Sequence, residues 1–305
     1  MTKRIVAFGE VVWDILPNDK VLGGTPSNFV FRCNSLGEKG YLLSRVGDDE
    51  LGNEALEELK KLGISDRNVQ VDPVFKTGTV EVNFNENDEA VYHVASDVAF
   101  DHIEFSAEAL KLVRKADCLV FGLLPQRFGL SKNTLRELLK ESPDSVHFFD
   151  LKLFEHFFSR KVVTRLLKAA NVVRIKDKEI DFLAEKLEIE YTSVEDFAQL
   201  LSEKYKIDIV LVTRGRTGVL ALHSGEGFFF EPGYDLVVKD NVGSGMAFAA
   251  GFLHYYLNGE SVKDALRFGN AVGALNTTKL GATSPFTKED VLAFMTNTKQ
   301  HQMSV

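Results

Sequence analysis

Residues 240–257 read DNVGSGMAFAAGFLHYYL, a glycine-rich turn that runs directly into an apolar segment. The pattern predicts a helix over 246–257. Small residues let the backbone of the turn approach a ligand closely, and free N–H groups at a helix N-terminus favour a phosphate or an oxyanion. The turn therefore indicates an anion site, although an ordinary loop-to-helix connection capped by Asp240 or Ser244 explains the same residues.

Short apolar segments alternate with amphipathic ones along most of the chain. This order predicts an α/β fold in which a mostly parallel sheet carries helices on both faces. The predicted strands are residues 5–8, 41–46, 118–121, 146–149, 172–175 and 207–212, with an antiparallel pair at 219–222 and 227–230. The predicted helices are residues 29–36, 49–62, 132–140, 162–169, 178–187, 194–204, 246–257, 262–279 and 288–296.

One part of the chain differs from the rest in its residue composition. Residues 77–84 and 90–95 are rich in Val, Thr and aromatic side chains, and the polar segment 85–88 between them predicts a hairpin turn. A hairpin inside an α/β chain indicates a small β appendage. We expect residues 11–16, from the N-terminal region, to join it.

Composition narrows the classes of function. The chain has 305 residues, 45% of them hydrophobic and 26% charged, no Pro/Gly/Ser-rich linker and a formal net charge of −8. An acidic chain argues against sequence-independent nucleic-acid binding, which needs a basic face. The longest apolar stretch is too short to span a membrane. Cys33 and Cys118 are far apart in sequence, and we expect them to be buried, reduced thiols of a cytoplasmic protein.

Common phosphate and metal motifs are missing from the sequence. Nothing matches Gly-x4-Gly-Lys-Ser/Thr, and no Gly-x-Gly-x-x-Gly opens a helix after the first predicted strand. There is also no His-Glu-x-x-His and no box of paired cysteines. These absences argue against three classes of enzyme, namely a P-loop ATPase, a dinucleotide oxidoreductase and a zinc hydrolase.

Several separated motifs together resemble the PfkB, or ribokinase-like, carbohydrate kinases. Residues 23–28 (GGTPSN), 46–49 (VGDD) and 240–246 resemble the two family signatures, and Gly9-Glu10 followed by Asp14 resembles the early sugar-binding segment. Residues 77–79, 99–101, 121–127 and 213–218 are similar to segments of the fructokinase branch. The resemblance implies a single three-layer α/β/α domain over 1–305, with a sheet of about nine strands. It also implies a β lid formed by about 11–22 and 76–98.

The resemblance also implies where ligands bind. The sugar is expected under the lid, and ATP is expected across the sheet edge. The resemblance also implies Mg²⁺ and, as a further candidate, potassium. The sequence does not identify the metal ligands. The alternative for Asp14 is a solvated aspartate in a loop. The alternative for Asn270 is a residue that only packs one helix against another. Two lids are expected to pair in a homodimer, because strand edges are usually covered. The implied residues are Asp14, Gly23, Gly24 and Asn28 for the sugar, Gly243, Ser244 and Gly245 for an anion hole, and Lys152, Lys176, Thr213, Gly215, Gly218 and Asn270 for the nucleotide.

The sequence departs from the family pattern on the phosphate side. Met246 stands where the second signature carries its catalytic aspartate, and a thioether cannot accept a proton from a sugar hydroxyl. Asn241 stands where that signature has threonine. Lys152 and Lys176 stand where relatives carry asparagine, and Phe154 replaces an arginine. The two lysines either bring positive charge to the triphosphate or are solvated surface residues.

These departures leave two interpretations open. The first is a fructokinase-like sugar kinase whose turnover is slow or absent, since phosphoryl transfer depends on positioning and charge stabilisation and loss of a general base costs about 10²–10⁴-fold. The second is a pseudokinase that binds sugar or nucleotide as a sensor or interaction protein. A nucleoside kinase of the same fold is less favoured, because the lid segment resembles the fructokinase branch.

Overall fold

The computed structural model describes residues 2–17, 19–84, 90–153 and 157–301. The strands in these ranges are β1 (Arg4–Phe8), β2 (Val12–Leu16), β3 (Asp19–Gly23), β4 (Lys39–Gly47), β5 (Val69–Asp72), β6 (Gly78–Phe84), β7 (Ala90–Val94), β8 (Cys118–Gly122), β9 (Val146–Asp150), β10 (Val172–Lys176), β11 (Ile209–Thr213), β12 (Gly218–His223) and β13 (Gly227–Pro232). The α-helices are α1 (Thr25–Ser35), α2 (Glu50–Lys61), α3 (Ala107–Val113), α4 (Gly129–Lys140), α5 (Arg160–Leu167), α6 (Ile180–Leu187), α7 (Val194–Tyr205), α8 (Ser244–Leu257), α9 (Val262–Thr277) and α10 (Lys288–Asn297). None of the helices in these ranges is long and apolar enough to cross a membrane.

The main sheet has nine strands in the order β13-β12-β11-β10-β9-β8-β1-β4-β5. Neighbours are parallel from β11 through to β5. Strand β12 runs antiparallel to both β11 and β13. The structure therefore confirms the mostly parallel sheet and the terminal antiparallel pair that the sequence predicted.

The sheet is buried on both faces, which is why its strands read as continuous apolar runs. In β1, Ile5 and Ala7 point into one core while Val6 and Phe8 point into the other, and all four are fully buried. Helices α1, α2, α8, α9 and α10 contribute to the first core, and helices α3 to α7 contribute to the second. The three-layer α/β/α arrangement is thus confirmed.

The structure differs from the sequence-based prediction at one helix boundary and in two short elements. Helix α1 begins at Thr25 rather than at 29, because Pro26 fits the first turn of a helix, where its missing N–H costs nothing. Helix α3 and strand β5 were not predicted. They have seven and four residues, and such short segments carry too few apolar positions to show a period.

A second, small sheet has the order β3-β2-β6-β7. The hairpin strands β6 and β7 are antiparallel as expected, and β2 joins them alongside β6; the predicted turn at 85–88 lies outside the described residues. Its inner side chains, Val12 and Val80, pack with Phe100 in a separate apolar cluster. Trp13 is buried and donates from Nε1 to the Leu51 carbonyl at 2.9 Å, which fixes this sheet to α2.

Asp49 ties the small sheet to the large one. It caps α2 by accepting from the Gly52 N–H at 2.7 Å; the sequence alone allowed either Asp48 or Asp49 as the cap. It also accepts from the Thr77 N–H at 2.9 Å and from Thr77 Oγ1 at 2.7 Å, just before β6. Burial alone would raise the pKa of Asp49, but the hydrogen bonds from Thr77 and Gly52 outweigh it and lower that pKa.

Candidate active site

The glycine-rich turn leads into α8 as the sequence predicted, and the helix already begins at Ser244. Gly243 caps it with φ of +76°, and a β-carbon there would lie 2.4 Å from the Ala282 β-carbon. Only glycine meets both constraints without strain. The turn therefore presents the backbone N–H groups of the first turn of α8 at the edge of the sheet.

A cavity of about 410 Å³ opens beside this helix N-terminus. Residues from the carboxyl ends of β10 and β11, from β12 and from α9 line it. In an open α/β sheet this edge is the usual place for a ligand. The cavity brings together seven of the residues implied by resemblance, namely Lys176, Thr213, Gly215, Gly218, Ser244, Gly245 and Asn270.

Asn270 serves two purposes in this cavity. Its side chain lines the cavity, and its Nδ2 donates to the Pro232 carbonyl at 2.8 Å, which joins α9 to the end of β13. This contact joins a helix to a strand, and helix–helix packing stays the alternative prediction for Asn270.

A second, smaller cavity lies on the other side of α8, under the small sheet. Its volume of about 20 Å³ leaves room for about one water molecule. Met246 lines it together with Glu10, Asp150 and Lys152. The structure thus places Lys152 beside Met246 and not in the larger cavity with Lys176; Phe154 lies outside the described residues.

A buried ion pair separates the two cavities. Arg174 donates from Nε to Asp150 Oδ1 at 2.7 Å, and its Nη2 is 2.7 Å from the same oxygen. Its Nη1 donates to Thr213 Oγ1 at 3.2 Å. Asp150 lines the smaller cavity and Arg174 lines the larger one, so the ion pair lies between the two cavities.

Arg174 also lies against the first turn of α8. A β-carbon at Gly245 would be 2.8 Å from Arg174 Nη1, so the glycine leaves room for the guanidinium. The sequence analysis did not identify Arg174 as a site residue. The available signal was its position within β10, two residues before Lys176 and therefore on the same face of the strand.

The residues implied for the sugar meet at the start of α1. Strand β2 pairs with β3 so that Asp14 is opposite Val21, and the Asp14 carboxylate reaches Gly23, where a β-carbon would be 2.6 Å from Asp14 Oδ2. Gly24 caps α1, and Asn28 lies half-buried one turn into the helix. Glu10 accepts from the Thr25 N–H at 3.0 Å, which anchors the same helix terminus from below.

Burial shapes the charges of this site. Burial raises the pKa of Glu10 and that of Asp14, while the positive charge of Lys152 opposes both shifts. At the larger cavity, burial lowers the pKa of Lys176, and the neighbouring Arg174 lowers it further. The smaller cavity is therefore rich in carboxylates, and the larger one is rich in cations.

Comparison with known proteins shows the family of the chain. Residues 3–289 match the pfkB family of carbohydrate kinases. The chain is 24% identical over 326 residues to fructokinase-1 of Oryza sativa subsp. japonica, with 96% of this chain and 98% of the relative covered. It is 26% identical over 311 residues to the fructokinase of Vibrio alginolyticus, with 96% and 99% covered.

Solved structures agree with this result. An uncharacterized sugar kinase from Pyrococcus horikoshii in complex with ATP superposes with a TM-score of 0.81 at 26% identity, covering 95% of this chain and 97% of that chain. The fructokinase from Vibrio cholerae O395 with fructose, ADP and calcium ion shares the fold, with a TM-score of 0.81 at 23% identity and coverage of 96% and 99%.

The mostly parallel sheet between two layers of helices, with a small second sheet, defines a ribokinase-like α/β fold. The chain belongs to the pfkB family of carbohydrate kinases, as the motifs at 23–28 and 240–246 led us to expect.

Proposed function

We propose that the chain is an ATP-dependent kinase for a fructose-like sugar whose turnover is slow or absent. The observation that carries this proposal is the pair of cavities that share the first turn of α8. Met246 faces the smaller cavity, while Ser244 and Gly245 face the larger one. A sugar hydroxyl held on one side would thus meet a phosphate held on the other.

Each group has a separate part in the proposed reaction. Asp14 accepts hydrogen bonds from two sugar hydroxyls, since a carboxylate can bind both at once. The N–H groups of the first turn of α8 and the Arg174 guanidinium stabilise charge on the phosphoryl group as it moves. The hydroxyl that attacks lies beside Met246, which is 5% exposed and accepts no proton. As the bond from the sugar oxygen to the γ-phosphorus forms and the bond to ADP breaks, the hydroxyl proton passes to water or to an oxygen of the transferred phosphoryl group rather than to a positioned carboxylate, and this is why transfer is slow.

The second candidate is a pseudokinase that binds sugar or nucleotide and reports it to a partner. The observation that favours it is the composition of the smaller cavity, where Met246 and Lys152 replace the aspartate and asparagine expected by resemblance. Both changes lie where the reaction would occur, whereas the residues implied for the sugar by resemblance, among them Asp14 and Gly23, are present in the sequence.

Binding of the sugar tests the proposal without requiring turnover. We expect Asp14→Asn to weaken fructose binding about tenfold or more, since it removes charge-assisted hydrogen bonds. Isothermal titration calorimetry measures this. Asp19→Asn is the matched control, because Asp19 is exposed at the start of β3 and should leave the affinity unchanged. Equal affinities of native and Asp14→Asn proteins for fructose would place the sugar elsewhere.

We further propose that the chain forms a homodimer through the small sheet. Strands β3 and β7 are its edges, and Val21 on β3 is 47% exposed. Exposed strand edges are usually covered in native proteins. Sedimentation velocity at micromolar concentration should therefore show a dimer, and a monodisperse monomer would count against the proposal.

A cytoplasmic location belongs to the same proposal, because Cys33 and Cys118 are both buried, free thiols, as is usual in a reducing compartment. Recovery of the native chain from the secreted rather than the cytoplasmic cell fraction would contradict it.

A further inference from the structure

The larger cavity is lined by an excess of cationic side chains. Arg174, Lys176, Lys178 and Arg216 line it, and Asp177 is the single carboxylate among the described residues that do. This excess is local, because the whole chain carries a net charge of −8. A site of this kind attracts an anion that carries several charges.

Two carboxylates near the cavity accept hydrogen bonds from the backbone, and a third, Asp150, is paired with Arg174. Glu179 accepts from the Leu153 N–H through Oε1 and from the Lys176 N–H through Oε2, both at 3.1 Å. Asp240 accepts from the N–H groups of Val242 at 2.9 Å and of Gly281 at 2.8 Å. In the described part of the chain, no cluster of three or more His, Cys, Asp or Glu side chains could hold a metal ion.

These residues do not fit the magnesium ion that the family resemblance implies. Mg²⁺ takes oxygen ligands and is usually held by carboxylates together with substrate phosphates. Here it would enter a cavity that already holds four cationic groups, each of which competes for the same phosphate oxygens. Repulsion between the metal and the two less exposed cations, Arg174 and Lys176, would offset part of its attraction to the phosphates.

We propose that this cavity binds the triphosphate of ATP through its own cations, without a divalent metal. The inference rests on the proposed function and deepens it, because it concerns the same nucleotide site. Lys176 is the central group. It is half-buried, it comes from the end of β10, and it stands where relatives carry an uncharged asparagine.

The environment of Lys176 favours an anionic ligand. Burial and the adjacent Arg174 both act against its positive charge, and the resulting low pKa reports that cost. A phosphate placed between Lys176 and Arg174 removes the repulsion between them. The Gly245 N–H, in the first turn of α8 beside Arg174, then adds a further donor.

Calorimetric titration with ATP, in EDTA and in excess Mg²⁺, tests the inference. The native chain should bind ATP in EDTA with a Kd within about threefold of the value in Mg²⁺. Lys176→Asn should weaken binding in EDTA about tenfold or more, since a charge-assisted contact is lost, and should make binding depend on Mg²⁺. Lys176→Arg, which keeps the charge, should still bind in EDTA.

A matched control separates this contact from the change in net charge. Lys111→Asn makes the same substitution at an exposed position on α3, away from the larger cavity, and should leave both Kd values unchanged. Native binding that occurs only with Mg²⁺ would overturn this inference and leave the proposed function intact. Absence of ATP binding in both media would overturn the nucleotide site itself, and the proposed function with it.

Discussion

Met246→Asp is expected to raise the rate of fructose phosphorylation by about 10²–10⁴-fold, the usual contribution of a general base. The new carboxylate would lie in the first turn of α8, where the helix dipole stabilises negative charge. It would also line the smaller cavity beside Glu10 and Asp150, whose carboxylates disfavour a further negative charge. A base whose pKa is raised in this way is better matched to a reaction at neutral pH.

Two controls make the result specific to proton acceptance. Met246→Asn has nearly the shape of the aspartate but cannot act as a base at neutral pH, and Met246→Leu keeps the apolar character. The rates, measured at high protein concentration with ATP and fructose, should rise for Met246→Asp alone. Native turnover in the usual kinase range, about 1–100 s⁻¹, would remove the pseudokinase interpretation and require another base.

Absence of fructose phosphorylation by both the native and the Met246→Asp proteins would have a different meaning. If fructose and ATP still bind, the defect would extend beyond the base to the groups that position the phosphates. Lys152 and Lys176 are then the next residues to revert, each to asparagine, because resemblance implies asparagine at both positions. A panel of hexoses in the same assay separates this outcome from the wrong choice of sugar.

Elements with local sequence signals were predictable, and those set by tertiary contacts were not. Helix α2 carries its own signals, with Asp49 as its cap and Lys60 and Lys61 in its last turn, and the prediction of 49–62 fits the observed Glu50–Lys61. Strand β3 begins with polar residues and gains its order from pairing with β2. Its sequence alone resembles a loop, since pairing partners are not visible in a local window.

The same distinction explains what was missed at the site. Motifs indicated the turn at 240–246 and the sugar residues, because glycines and Asp14 recur in a recognisable order. The Asp150–Arg174 pair depends on the register of β9 and β10, which places these two residues side by side although 24 positions separate them. Register is fixed by packing of both faces of the sheet and cannot be read from either strand alone.

Removing Arg174 from this pair is expected to cost more stability than any exposed ion pair. Arg174→Met should lower the free energy of unfolding by about 3–5 kcal/mol, since it leaves the Asp150 carboxylate buried without its ion-pair partner. Asp150 is 2% exposed, and its Oδ2 already has no hydrogen-bond partner among the described residues. Urea unfolding, followed by circular dichroism, measures the loss.

A matched surface pair supplies the scale for that loss. Arg114 and Glu141 form an ion pair with 56% and 40% of their side chains exposed, so Arg114→Met should cost only about 0–1 kcal/mol. Equal losses for Arg114→Met and Arg174→Met would show that burial does not isolate the Asp150 charge as described.

The double variant Arg174→Met/Asp150→Leu separates the cost of the stranded charge from the value of the pair. Replacing a buried ion pair by apolar residues is often neutral or stabilising, so most of the lost stability should return. ATP binding should not return with it, because the guanidinium beside Gly245 remains absent. If the double variant regains stability but does not bind ATP, the Arg174–Asp150 pair is retained in the sheet because it binds the ligand. Restored binding would mean that Arg174 holds the fold together and takes no part in holding phosphate.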